Sequence, residues 1–272
     1  MIPKFISMAD DPKPRVRAHV LSSLSQFIPI QSQSLFAHID SYIACLFKRA
    51  SDEDAEVRRS VCSSLVLLLV ARPDRLIPDM QLVAQFMLYT TQDKDENVAL
   101  EACEFWLTFA EEPDLQTHLA PLIPELAPVL LKCMIYGEED LVWLDGLEDD
   151  AGQADKETDI KPRHYGGGKG HGLESAAEGN NANGKQNKFS NTLDDEDDFD
   201  DFDPDFDDDA TTEWNLRKCA AAALDILAVR FGDDLLRVLL PHLNDRLRSA
   251  NWLEKESAIL ALGAMAEGRL CH

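Results

Sequence analysis

The sequence predicts an all-α fold, an α-solenoid of about five HEAT repeats with a long disordered acidic insertion inside the fourth. Three observations carry this expectation. An apolar template at i, i+4, i+8 and i+11 returns along the chain, its first copies begin at Val16, Val57 and Val98, 41 residues apart, and one internal stretch holds most of the negative charge. A period near 40 residues marks helix pairs that cannot close a core alone and stack on copies of themselves.

The copies can be followed in order. Residues 1–9 read as the end of a first helix, and the second helix of that pair carries Val16, Val20, Leu24 and Phe27. The next second helix repeats the stripe with Val57, Val61, Leu65 and Leu68, and the third with Val98, Ala102, Phe105 or Trp106, and Phe109. Beyond the insertion it returns at Leu216, Ala220, Leu224 and Leu227, then less regularly after Leu253, where Ser257 takes the i+4 place. The first helices between them carry Leu35, Ile39, Ile43 and Leu46; Leu76, Met80, Val83 and Met87; Leu122, Leu126, Val129 and Leu130; and Leu235, Leu239, Leu243 and Leu247. Each is a one-sided apolar stripe at helical spacing.

Punctuation agrees with the pairing. Acids at Asp10-Asp11, Asp52 to Asp54 and Asp93 to Glu96 precede second helices, where exposed amides and the macrodipole favour negative charge. Arg17, Arg58 and Arg217 recur one place after the first apolar residue, and Pro78, Pro121, Pro124 and Pro241 stand near the starts of first helices. Neither end reads as a polar capping repeat, so an excerpt of a longer array is expected. Trp214 and Trp252 begin second helices and are expected to pack as staples, and Trp106 to lie in the core.

Charge divides the chain into residues 1–136, a loop at 137–213, and residues 214–272. The whole carries a formal charge of −24, and residues 137–213 hold 25 acids against 6 bases. Twelve of those acids fall within 16 residues: Asp194, Asp195, Glu196, Asp197, Asp198, Asp200, Asp201, Asp203, Asp205, Asp207, Asp208 and Asp209. With a glycine- and asparagine-rich centre, such a stretch cannot bury enough apolar surface to offset its ordering entropy, so it reads as disordered.

Composition also excludes functions. An acidic chain without a basic cluster argues against direct nucleic-acid binding, and the longest apolar run is far short of the roughly 20 residues a bilayer span needs. No membrane insertion or secretion is expected. The six cysteines lie 17 to 86 residues apart with no CxxC pair and read as reduced core residues, so no metal is expected. Gly168-Lys169 and Gly184-Lys185 miss the phosphate-loop spacing, and no nucleophile, base and orienter fall into a catalytic arrangement. The expectation is a protein with no cofactor and no enzymatic activity.

Particular words then resemble one family. TQDKDENVALEACEFWLTFAE at residues 91–111, DIKPR at 159–163, WNLRKCAAAALDILA at 214–228, VARPDRLIPDM at 70–80 and EKESAILALGAMAEG at 254–268 are similar to the transportin branch of the karyopherin-β nuclear import receptors. The resemblance covers essentially the chain outside residues 165–192, and the glycine-asparagine centre departs from the family in wording though not in charge. It implies the fifth to ninth repeats of a receptor shuttling between cytoplasm and nucleus. Such a receptor binds cargo proteins through localisation signals of a proline-tyrosine type, and releases them when GTP-loaded Ran binds. Nucleoporins are implied as further partners. Carried over by motif, the cargo surface comprises Ala221, Ala222, Asp225 and Leu260, and the acidic loop is the element coupled to Ran. Two other classes remain open: a HEAT scaffold for a phosphatase or chromosome complex, and an acidic chaperone using Phe199, Phe202 and Phe206 beside the acids to screen basic partners.

Overall fold

The computed structural model describes residues 1–137, 140–142 and 214–270, with side chains to residue 266. The acidic tract at 194–209 lies outside the described residues, as does most of the 137–213 loop. The described residues cluster as one compact unit.

Among the described residues every regular element is helical, and the helices form two rows. One row holds α1 (Ile2–Met8), α4 (Ile39–Arg49), α7 (Met80–Thr90), α10 (Ile123–Cys133) and the second half of α11 (Leu216–Leu247). The other holds α2 (Pro14–Ser25), α5 (Ala55–Ala71), α8 (Glu96–Glu111), the first half of α11 and α12 (Trp252–Leu270). In this second row each helix packs on the next, α2 on α5, α5 on α8, α8 on α11 and α11 on α12. Five pairs result, as the repeat spacing predicts.

Short helical turns lead into the first helices. α3 (Gln33–Phe36), α6 (Pro73–Leu76) and α9 (Gln116–Leu119) precede α4, α7 and α10, and Pro78 and Pro121 sit in 3-10 turns before α7 and α10. Proline lacks the amide hydrogen a continuous helix would require, so the approach is broken and re-aimed there.

The stripes are buried or half-buried with two exceptions. Val20, Leu24, Val57, Val61, Leu65, Leu68, Val98, Ala102, Phe105, Phe109, Leu224 and Leu227 all lie in the core, but Phe27 and Leu247 are each 38% exposed. α2 stops at Ser25, and the following turn, closed by Gln31 at φ +51°, hands the core place to the fully buried Ile28. Leu247 is the last residue of α11, where the chain leaves the helix. Ser257, the irregular member of the fifth copy, is fully buried and satisfied: its hydroxyl accepts from Arg246 Nη1 at 2.8 Å and donates to the Glu254 carbonyl at 2.9 Å. A polar residue is tolerated in the core when its hydrogen bonds are made.

Gly232 divides α11. Its φ of +43° with ψ −108° belongs to backbone that L side chains rarely adopt, and it turns the second helix of the fourth pair into the first helix of the fifth. A Cβ built there meets nothing within 4 Å, so Gly232→Ala should cost backbone strain alone, about 1–3 kcal/mol. Thermal unfolding should show a lowered midpoint; an unchanged one would mean that the turn accepts an L residue.

The repeated arginines build a ladder between repeats. Arg17 reaches forward to Asp52, with Nε to Oδ2 at 2.8 Å and Nη2 to Oδ1 at 2.6 Å, and backward to the carbonyls of Asp11 and Pro12. Arg58 does the same with Asp93 at 2.8 and 2.9 Å and with the carbonyls of Asp52 and Glu53. The neighbouring acids Asp54 and Asp95 cap α5 and α8 through the amides of Val57 and Val98. The turn acids thus split into two jobs, capping a helix and holding the arginine of the preceding repeat. Asp10 does neither, pairing instead with Lys48 and Arg49, and Asp11 accepts from the Lys13 amide.

Candidate functional site

The third rung of the ladder is missing where the insertion begins. Stepping on by the 41-residue period from Arg58 and Asp93 arrives at Ala99 and Met134, which can make no ion pair. Other contacts fix this joint. Asp140 Oδ2 accepts from the Gly137 amide at 3.0 Å, and its Oδ1 accepts from Asn215 Nδ2 at 3.4 Å. Asn215 Oδ1 in turn caps α11 by accepting from the Lys218 amide at 3.0 Å. The two flanks of the insertion are therefore joined side by side, although 75 residues separate Asp140 from Asn215.

Arg217 stands at the centre of this root. Its guanidinium lies 3.9 Å from the centroid of the Tyr136 ring, its Nε donates to the Met134 carbonyl at 3.1 Å, and its Nη2 pairs with Glu256 on α12. Tyr136 also tilts against Trp252, with ring centroids 6.1 Å apart. Trp252 remains 56% exposed, so it packs as a staple only in part. Trp214 packs against the core margin and donates its indole N–H to Glu104 of α8. A cavity of about 260 Å³ opens beside the root, lined among others by Thr91, Lys94, Lys132, Gly137 and Asp140.

The residues assigned to the cargo surface lie just beyond. Cys219, Ala220, Ala223, Leu224, Leu227 and Ala228 of α11 are buried, which leaves Ala221, Ala222 and Asp225 on its partly exposed side. Leu260 of the adjoining α12 is likewise partly buried, and with Ala221 and Ala222 it borders the same core. Six residues of helix, about 9 Å of rise, carry the chain from Asn215 to Ala221. The sequence reading missed Tyr136, Asp140, Asn215 and Glu256. Only Arg217 had a signal, its recurrence with Arg17 and Arg58.

The thiols near the root are packing groups. Burial pushes the Cys133 thiol up to about 12, and Cys219 is raised first by its hydrogen bond with Cys103 and then by burial, which keeps both neutral and poorly nucleophilic at physiological pH. Cys45, Cys62, Cys103 and Cys219 are buried free thiols.

No protein-family model matches the chain. Importin subunit beta-2 of Schizosaccharomyces pombe is 45% identical over 98% of the chain, and Transportin-1 of Mus musculus is likewise 45% identical over 98%. The chain belongs to the transportin branch of the karyopherin family. It spans 29% and 28% of those two relatives, which bear the names of nuclear import receptors. Solved karyopherins share the fold. A structure of Kap95p that concerns the switch loops of RanGDP matches with a TM-score of 0.62 at 17% identity, over 98% of this chain and 26% of that one. The karyopherin Kap121p bound to the SUMO protease Ulp1p matches with a TM-score of 0.60 at 18% identity, over 98% of this chain and 21% of that one. In this transportin segment the insertion root therefore sits within a HEAT solenoid of importin type.

Proposed function

We propose that this transportin segment is part of a nuclear import receptor that shuttles between cytoplasm and nucleus. It holds the proline-tyrosine end of a cargo localisation signal on Ala221, Ala222, Asp225 and Leu260 and gives it up when GTP-loaded Ran binds. The acidic loop is the coupling element, and nucleoporins are further partners. The observation that carries the reading is the 45% identity to importin beta-2 and transportin along 98% of the chain, with the words around these residues included. The geometry supports it. Small side chains at Ala221 and Ala222 let a peptide backbone come close, and the partly buried Asp225 offers a carboxylate to a basic or hydroxyl group. The joined flanks of the insertion stand about 9 Å along α11 from Ala221, which favours the reading of the insertion as an element anchored close to that surface. Both karyopherin structures with the same fold are described with a partner, RanGDP for Kap95p and Ulp1p for Kap121p.

Asp225→Lys in the full-length receptor should weaken a fluorescent signal peptide by about 1–3 kcal/mol, because it sets a cation against a basic signal at a partly desolvated contact. An unchanged dissociation constant in a folded receptor would remove Asp225 from the surface.

A further inference from the structure

The joint between α8 and α11 lacks the arginine–aspartate rung of the earlier joints, and Arg217, the next arginine of the repeat, is engaged in a different way. Arg17 and Arg58 each tie the turn of their own repeat to the turn of the next. Arg217 keeps the backward tie, to the Met134 carbonyl, but its forward partner is no turn aspartate. The 35-residue step arrives at Trp252, and the equivalent turn place, two residues before the capping Asn251, is held by Ser249, whose hydroxyl accepts from the Asn251 amide as Asp52 and Asp93 accept from the amides of Asp54 and Asp95. Arg217 passes it over and pairs with Glu256, in the second turn of α12.

We propose that Arg217 is the positioning residue through which the root of the insertion is coupled to the cargo surface. This rests on the reading above of the loop as the coupling element. Three segments meet at its guanidinium: the chain entering the insertion, through Met134 and Tyr136; the helix leaving it, α11, on which Arg217 lies four residues before Ala221; and α12, where Glu256 lies four residues before Leu260. One helical turn therefore separates each end of the ion pair from a residue of the cargo surface. The planar guanidinium stacks on Tyr136 and donates at its edge at the same time, which a lysine ammonium cannot reproduce. Glu256 depends on it. Its Oε2 is buried without a hydrogen-bond partner among the described residues, so a displaced Arg217 leaves a carboxylate that must turn towards water and take the start of α12 with it. A shift of Tyr136 or Asp140 at the root thereby becomes a shift of Leu260 relative to Ala221, and the effect is reciprocal between loop and cargo.

The test uses the full-length receptor, a fluorescent proline-tyrosine signal peptide and GTP-loaded Ran. For wild type, Arg217→Ala and the milder Tyr136→Leu, each with and without residues 178–209, the ratio of peptide affinities in the absence and presence of Ran is measured. With the loop present, Arg217→Ala should lower that ratio about tenfold and Tyr136→Leu in the same direction; without the loop, neither should change it further. An equal loss of affinity with and without Ran would make Arg217 a structural residue only and overturn the assignment. If deletion of the loop abolishes release but both substitutions leave the ratio at its wild-type value, the assignment fails and the loop reading stands. If deletion leaves release intact, the loop reading falls and the assignment falls with it.

Discussion

Trp106→Ala is expected to remove about 3–5 kcal/mol of stability, the largest effect of any single truncation proposed for this chain. Trp106 is fully buried in α8, stacked with Phe109 at 6.3 Å and edge-on to Phe105 at 5.4 Å. Its loss opens a cavity in the middle of the second row, where α8 touches both α5 and α11. It also orphans a donor–acceptor chain. Trp106 Nε1 donates to Thr91 Oγ1 at 2.9 Å, and the buried Thr91 hydroxyl donates on to the Met87 carbonyl at 2.7 Å. Trp106→Phe keeps much of the volume and still strands the Thr91 lone pair, so it should cost less than alanine but more than a volume change alone, by about 1 kcal/mol. Denaturant unfolding of the three proteins gives the order wild type, Phe, Ala. A phenylalanine variant as stable as wild type would mean that the Thr91 bond contributes nothing.

Arg58→Ala should cost about 3 kcal/mol, because it leaves Asp93 buried without its cation. The side chains of Arg58 and Asp93 are 12% and 9% exposed, and the fork also satisfies two backbone carbonyls. An exposed pair provides the control. Arg72 and Asp74, at 29% and 58%, should change stability by less than about 1 kcal/mol when Arg72 is truncated, since water screens them. The same rung sets a pH dependence. Burial works against the Asp93 charge, but the Arg58 fork and the Asp95 amide more than offset it, so the Asp93 carboxyl lies below its ordinary value; Asp52 is held down in the same way by Arg17. A depressed folded pKa contributes stability that is present above the unfolded value, near pH 4, and is lost as pH falls through the folded value. Wild type and Arg58→Ala should therefore differ fully at pH 7 and converge below about pH 4. A difference that persists undiminished at pH 2 would show that the arginine acts through its carbonyl contacts and packing rather than through the ion pair.

What the sequence made legible follows from periodicity. Val57, Val61, Leu65 and Leu68 are buried because a 3.6-residue repeat can point a stripe only one way, and the same holds for the other copies. Phe27 broke the rule because the template extends past the end of α2, a boundary that spacing alone does not mark. Ser257 looked like a fault in the fifth copy, and its explanation, Arg246, lies on the preceding helix where no local pattern couples the two. The recurrence of Arg17, Arg58 and Arg217 was visible, yet their partners were not. Asp52 and Asp93 stand 35 residues ahead, among acids that resemble them and cap helices instead. The insertion root was the least legible part. Asp140 and Asn215 are brought together by the return of the chain, not by any spacing, and Arg217 meets Tyr136 and Glu256 where the following turn offers Ser249 in place of an aspartate. Resemblance supplied Ala221, Ala222, Asp225 and Leu260; packing alone would read the two alanines as spacers for close helix contact.

The most direct measurement is the release of a bound proline-tyrosine signal peptide from the full-length receptor as GTP-loaded Ran is added, with and without residues 178–209. The account predicts that the shortened receptor binds the peptide with near wild-type affinity and no longer lets it go when Ran is added. It also predicts that wild-type release weakens as salt rises, because attraction between exposed charges fades beyond about 8 Å at physiological ionic strength. Release from the shortened receptor at the wild-type Ran concentration would contradict it and leave the acidic tract as a spacer.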